Sequence, residues 1–273
     1  MSQEDLELPV TSSAEPDWAL EAEECYRDAL QALQKAGIRY AVGGAFAVHK
    51  HTGIWRATKD LDLLLAASEV PGALRQLEQR GFETYIEDPV WLAKARREGY
   101  FVDLITGMGN ASLIVDESWI DRSVVAEVFG IACPVLAAEE MIASKVFIAF
   151  RERFDGSDII HLIRACGRQL DWDRLLQLLG EHWLLLYWAL VLFAYVYPAR
   201  TDVVPKRIWT GLAQRLAEQL EKPKTDASFR GTLVDPKMFA IDVNEWGERD
   251  LMREYCDQHP ALLRTEDTTG SAE

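Results

Sequence analysis

The chain has 273 residues, 49% of them apolar, and a formal net charge of −15. The apolar content excludes wholesale disorder, and the length suits one sizeable domain or two modest ones. An acidic surface repels nucleic acid as a whole, so a nucleic-acid partner would need a local basic patch.

In chain order, residues 1–16 are acidic, polar and aperiodic, and are expected to form a disordered tail. From Trp18 to Ala36 the apolar positions recur at helical spacing, and Gly37 closes the helix. The run IRYAV reads as a short strand, Gly43-Gly44 turns into a second helix (AFAVHKH), and Thr58–Leu65 reads as another strand. A helix is predicted from Ser68 or Glu69 to near Arg80, followed by strands at FETYI, VWLAKAR and YFVDLIT, with Gly99 turning between the last two. Asn110–Ser118 reads as an irregular connection and SVVAEVFGIACPVL as a hairpin around Gly130.

After Ala137 the pattern becomes helical, at 138–150, 157–165, 172–179, 183–197 and 207–221. From Lys222 onward the chain is polar and broken by Gly and Pro, with MFAIDV as an extended piece. The division is therefore an α/β core at 17–136, a helical domain at 137–222, an irregular extension at 223–261 and a disordered tail at 262–273. The fold class is α+β, with a small mixed sheet, because the first strands alternate with helices while later ones follow one another.

Trp183–Tyr197 is the most hydrophobic segment, but it is shorter than the roughly 18 apolar residues that span a bilayer. It reads as a core helix or a subunit interface, which allows a homodimer and gives no expectation of a membrane. Four scattered cysteines without a CxxC pair, and no secretory signal at the start, point to the cytoplasm.

The chemistry concentrates in YAVGGAFAVHKHTGIWRATKDLDLLL, residues 40–65. On a strand, residues two apart share a face, so Asp60 and Asp62 project together while Leu61 and Leu63 face the packed side. Two adjacent carboxylates need a compensating cation, and Mg²⁺ is the usual choice where phosphates supply further ligands. Asp103 lies in another apolar strand; if that strand neighbours the first, three carboxylates converge, as a two-metal phosphoryl or nucleotidyl transfer site requires. A Gly43-Gly44 turn at a helix start lets phosphate oxygens approach backbone N–H groups.

This run, VGGAFAVHKHTGIWRATKDLDLLL, resembles the signature of the polymerase β-like nucleotidyltransferase superfamily, a GG turn followed by an Asp-x-Asp pair. It is similar to stand-alone bacterial members, the abortive-infection type toxins and minimal nucleotidyltransferases. The resemblance implies a small mixed-sheet nucleotidyltransferase core with flanking helices, over about residues 20–135, and it extends less specifically through the helical half. It implies that Asp60 and Asp62 hold Mg²⁺, that Asp103 completes the catalytic metal site, and that Gly43 and Gly44 contact the nucleoside triphosphate. Arg56 and Lys59 stand ahead of the Asp pair and could neutralise triphosphate, with ordinary surface charge as the rival reading.

Lys145 has apolar neighbours three and four residues away and must find an anion, either a phosphate or a carboxylate such as Asp158. Similar members carry a lysine in such a helix, followed by an arginine and an Asp-rich segment, here Arg151 with Asp155 or Asp158. His49, Lys50 and His51 read as favourable positive charge at a helix C-terminus, and His161 as a core or interface histidine. The activity expected is Mg²⁺-dependent transfer of NMP from an NTP to a hydroxyl of a small molecule, a protein or tRNA, with release of pyrophosphate. The alternative is a catalytically silent nucleotide-binding or interaction protein of the same fold, such as a toxin–antitoxin component.

Overall fold

The computed structural model describes residues 11–12 and 20–259. In chain order the elements are β1 (Thr11–Ser12), α1 (Leu20–Lys35), β2 (Ala41–Val42), α2 (Gly44–Thr52), β3 (Ile54–Trp55), β4 (Asp60–Leu64) and α3 (Val70–Glu78). Then come β5 (Glu83–Asp88), β6 (Leu92–Arg97), β7 (Tyr100–Ile105), α4 (Glu117–Asp121), β8 (Val124–Val128) and β9 (Ile131–Val135). The helices that follow are α5 (Ala138–Lys145), α6 (Gly156–Cys166), α7 (Trp172–Leu179), α8 (Trp183–Val196) and α9 (Lys206–Glu221). Three short ones complete the series, α10 (Gly231–Val234), α11 (Ala240–Asn244) and α12 (Leu251–Gln258).

The described residues form two compact units, one from 20–44, 57–135 and 255–259, the other from 11–12, 45–56 and 136–254. The first contains a seven-stranded mixed sheet in the order β5-β6-β7-β4-β2-β9-β8. β4 runs parallel to β7 and antiparallel to β2, and β2 runs parallel to β9. Leu61 and Leu63 of β4, Val102 and Leu104 of β7 and Ala93 and Ala95 of β6 are buried on the face that α1 and α3 cover. The opposite face of β4 and β7 carries Asp60, Asp62 and Asp103, as period-two alternation requires.

The β6–β7 hairpin closes on Glu98 and Gly99, both at positive φ (55° and 87°). A two-residue turn of this kind matches the twist of its strands and fixes their register. Arg97 therefore faces Tyr100, and three residues back Lys94 faces Asp103.

The second unit is helical, with α5 packed on α6 and α7, and α8 on α6, α7 and α9. The segment 45–56 belongs to it, although the sequence division keeps those residues in the α/β core. The physical reason lies in its contacts within that unit: His51 Nε2 lies 2.7 Å from the Leu136 carbonyl, and Arg56 pairs with Asp158.

Residues Trp172–Val196 form a 25-residue helical run long and apolar enough to cross a membrane by length and composition. A 3₁₀ turn at Gly180–His182 divides it. α8 alone, at 14 residues, measures about 21 Å against a hydrocarbon core of about 30 Å. It buries Trp183, Leu186, Ala189, Leu190 and Phe193 and exposes Trp188, Val191 and Tyr195.

Several local expectations change. Of the expected tails at 1–16 and 262–273, only Thr11 and Ser12 lie within the described residues, and they pair with Trp55 and Ile54 rather than hanging loose. The helix expected to reach Phe150 stops at Lys145, because the chain folds back with an Ala149–Phe154 bridge and Asp155 N–H donating to the Ile148 carbonyl at 3.1 Å. The region 223–261 holds three short helices instead of irregular chain. MFAIDV is not extended: Asp235 accepts from the N–H groups of Lys237 and Met238, both at 3.0 Å, and this turn feeds α11.

The two faces of β4 should respond differently to substitution. Leu63→Ala is expected to destabilise the protein by about 2–5 kcal/mol in urea denaturation. Asp60→Asn, on the opposite and half-buried face, is expected to be neutral or stabilising, because it removes one of three like charges there. Equal losses from both would contradict this division of roles.

Candidate functional site

The sheet unit assembles its polar residues from backbone register. β4 and β7 place Asp62 directly beside Asp103, and Asp60 beside Phe101, two residues along the same face. Two contacts pin the start of β4. The buried Tyr26 hydroxyl donates to the Lys59 carbonyl at 2.5 Å, and Thr58 Oγ1 accepts from Asp60 N–H at 3.1 Å. Burial, and after it the charge of Asp60, pushes the Tyr26 phenol well above its ordinary pKa, so it stays a donor. The Lys59 side chain is exposed, and its carbonyl also accepts from Phe101 N–H at 3.2 Å.

The glycine pair lies against β4. Gly43 N–H donates to the Asp62 carbonyl at 2.8 Å. Gly44 sits at φ +54°, and a Cβ there would collide with Asp62 Oδ2 and stand 2.7 Å from its Cγ. Gly44 is therefore required twice, for its backbone conformation and for the room it leaves the carboxylate. A side chain on Gly43 would collide with Leu64 Cδ1. The turn expected to admit phosphate thus first accommodates Asp62.

Asp103 is 8% exposed and has a partner that sequence reasoning missed. Lys94 Nζ donates to both of its oxygens, each at 3.0 Å, and lies 5.4 Å from the centre of the Phe101 ring. Burial raises the Asp103 pKa, with Lys94 opposing and the charges of Asp60 and Glu87 adding to it. The signal for Lys94 was present in VWLAKARREGYFVDLIT, since a two-residue turn at Glu98-Gly99 pairs position 94 with 103.

Among the described residues, no group of three His, Cys, Asp or Glu side chains converges closely enough to hold a metal ion. Asp60, Asp62 and Asp103 share one face, but both oxygens of Asp103 are turned to Lys94. The donor set still fits a hard divalent cation that brings phosphate ligands of its own: the carboxylates are adjacent, Gly44 leaves space for Asp62, and an ammonium already stands where positive charge is needed.

The other cations expected at the site belong to the helical unit and pair there with two buried carboxylates. Lys145 Nζ pairs with Asp155 Oδ2 at 2.6 Å and Asp158 Oδ2 at 2.9 Å. Arg56 pairs with Asp158, donates to Ser157 Oγ at 3.2 Å and lies 3.5 Å from His161 Nδ1. Arg153 grips Asp155 through two bonds, of 2.9 and 3.0 Å. Arg151, which follows Lys145 in the sequence, gives its backbone N–H to Asp235 at 3.0 Å. His161 is shifted below its ordinary pKa by burial and by the charges of Arg56 and Arg164. His49 is likewise lowered, by burial and by Lys50.

Two outcomes are expected. Gly44→Ala should lower both the melting temperature and nucleotide-induced stabilisation, whereas Gly81→Ala, at φ +79° with nothing within 4 Å of the added Cβ, should lower only the former. Burial raises the Asp155 pKa, but the Arg153 hydrogen bonds and the Lys145 charge outweigh it and hold the carboxyl below its usual range. Its stabilisation is therefore full above the unfolded value, about 3.9, and lost as pH falls through the lower folded value. The melting-temperature deficit of Asp155→Asn should be large at pH 7 and shrink below about pH 4; a deficit constant down to pH 3 would contradict it.

No curated protein matches the chain. Among solved structures, the antibiotic-resistance factor ANT(2'')-Ia is similar at 15% identity over 63% of this chain and 96% of its own, with a TM-score of 0.44. The lincosamide antibiotic adenylyltransferase LnuA, with lincomycin bound, is similar at 16% identity over 52% of this chain and 95% of its own, with a TM-score of 0.37. An antigenic nucleotidyltransferase-like protein from Paracoccidioides brasiliensis is similar at 18% identity over 66% and 91%, with a TM-score of 0.40. A family model described as nucleotidyl transferase of unknown function (DUF2204) matches residues 22–179, from α1 through α7. That match spans more than half of the 273 residues, and the chain belongs to this nucleotidyl transferase family.

Proposed function

We propose that the protein transfers an NMP group from a nucleoside triphosphate to an acceptor hydroxyl, releasing pyrophosphate, in a Mg²⁺-dependent reaction. The observation that carries this reading is the alignment of Asp60, Asp62 and Asp103 on one face of β4 and β7, with Gly43 and Gly44 against Asp62. Bound Mg²⁺ would supply charge neutralisation for the triphosphate and for the pyrophosphate that leaves. Asp60 and Asp62 would hold it, and Asp103 would join them once its carboxylate is shared with Lys94. The backbone N–H groups at the start of α2 favour phosphate there. Asp103 would also help to activate the acceptor hydroxyl.

Lys59 is the exposed cation of the sheet unit proposed to meet triphosphate. Lys145 and Arg56 are engaged with Asp155 and Asp158, so their proposed contact with nucleotide would require a shared rather than a free charge. The net charge of −15 supports a cationic or neutral acceptor over a polyanion such as tRNA. Placement in the cytoplasm remains part of this proposal, supported by four cysteines that form no disulfide with one another.

The test is thermal stabilisation by ATP, GTP, CTP and UTP with and without Mg²⁺, in the parent and in Asp60→Ala plus Asp62→Ala. Stabilisation by at least one nucleotide, dependent on Mg²⁺ and absent from the double variant, is expected. No metal-dependent shift with any nucleotide would overturn the enzymatic reading.

A further inference from the structure

We propose that Lys94 is a positioning residue that acts as the resident counter-cation of Asp103, holding this carboxylate away from the metal site until a metal–nucleotide complex displaces it. The inference rests on the reading that Asp60, Asp62 and Asp103 bind a divalent cation. Lys94 is placed by turn geometry, since the register that the Glu98-Gly99 turn sets puts it directly opposite Asp103 in β7. Its ammonium contacts both Asp103 oxygens at 3.0 Å, and the two side chains are 19% and 12% exposed. Phe101, next along the same face of β7, flanks the ammonium.

Three carboxylates on one face would repel one another with no cation present, and Asp103 is the most buried of them. A half-buried ammonium satisfies it in the nucleotide-free protein. The same bond makes the third ligand conditional: divalent cation alone must compete with a tethered charge, whereas cation arriving with triphosphate brings extra ligands and extra affinity. The consequence is a site with weak intrinsic metal affinity and strong coupling between metal and nucleotide.

Electron paramagnetic titration of free Mn²⁺ against the nucleotide-free, full-length protein tests this. Removing a unit charge about 3–4 Å from a ligand oxygen should be worth at least about tenfold in affinity. Lys94→Gln is therefore expected to bind Mn²⁺ about tenfold more tightly than the parent, and its low metal-free melting temperature should be restored by Mn²⁺. Lys94→Arg keeps the charge and grips a carboxylate more firmly, so it should fold normally and bind Mn²⁺ no more tightly than the parent.

Equal or weaker Mn²⁺ binding by folded Lys94→Gln, or tighter binding by Lys94→Arg, overturns the inference even if nucleotidyl transfer is intact. Absence of Mn²⁺ binding from parent and variants alike overturns the inference together with the metal site on which it rests. Loss of Mn²⁺ binding from Lys94→Gln when Asp60→Ala and Asp62→Ala are added would place the measured ion at these carboxylates, whereas retention would overturn the assignment.

Discussion

Like-charge repulsion on one face of a sheet is the constraint around which the α/β unit is arranged. β4 and β7 run side by side in parallel, and their register sets Asp62 against Asp103, with Asp60 two residues away. A fold that keeps such a face must lower its energy from several sides. Burial of Leu61, Leu63, Val102 and Leu104 under α1 and α3 anchors the strands from behind. Gly44 gives Asp62 room to turn toward the helix start, and Lys94 neutralises Asp103. Each device has a local cost: a positive φ, a missing side chain, an ammonium held half-buried. The family match attaches these costs to nucleotidyl transfer, a reaction that needs concentrated negative charge.

The helical unit solves a related problem differently. Asp155 and Asp158 lie buried with Lys145, and Arg56 and Arg153 complete the pairing from either side. Removing one member of such a network leaves uncompensated buried charge, which costs more than the intact network contributes. Gly156 and the turn after α5 bring these groups together, because the helix ends at Lys145 and the chain returns within ten residues to Asp155. Lys145 and Arg56 thus have carboxylate partners, and any phosphate contact they make would have to compete with those.

Much of the sheet unit was legible in the sequence. Alternation around Asp60 and Asp62, the glycine turn and the two hairpins rest on local rules of period and turn geometry, and the strands lie close to their expected places. Lys94 was legible too, through the register of a two-residue turn, but needed the pairing to be counted rather than the residue to be inspected. Other features depend on contacts that hydrophobic period does not record, some of them local and some distant. The early stop of α5 goes with the Ala149–Phe154 bridge, and α11 follows a turn in which Asp235 accepts from the N–H groups of Lys237 and Met238. The grouping of residues 45–56 with the helices reflects contacts to Leu136 and Asp158, some 80 to 100 residues away. No periodicity within those segments records such partners.

The central claim is that this face of the sheet carries out nucleotidyl transfer. Its most direct measurement is incubation of the protein and Mg²⁺ with each of the four NTPs labelled at the α-phosphate, in the presence of cell extract. Covalent transfer of label to a small-molecule, protein or RNA fraction, with one pyrophosphate released per label and none transferred by Asp103→Asn, is the predicted result. Release of inorganic phosphate in place of pyrophosphate, or no transfer from any of the four nucleotides, would contradict it.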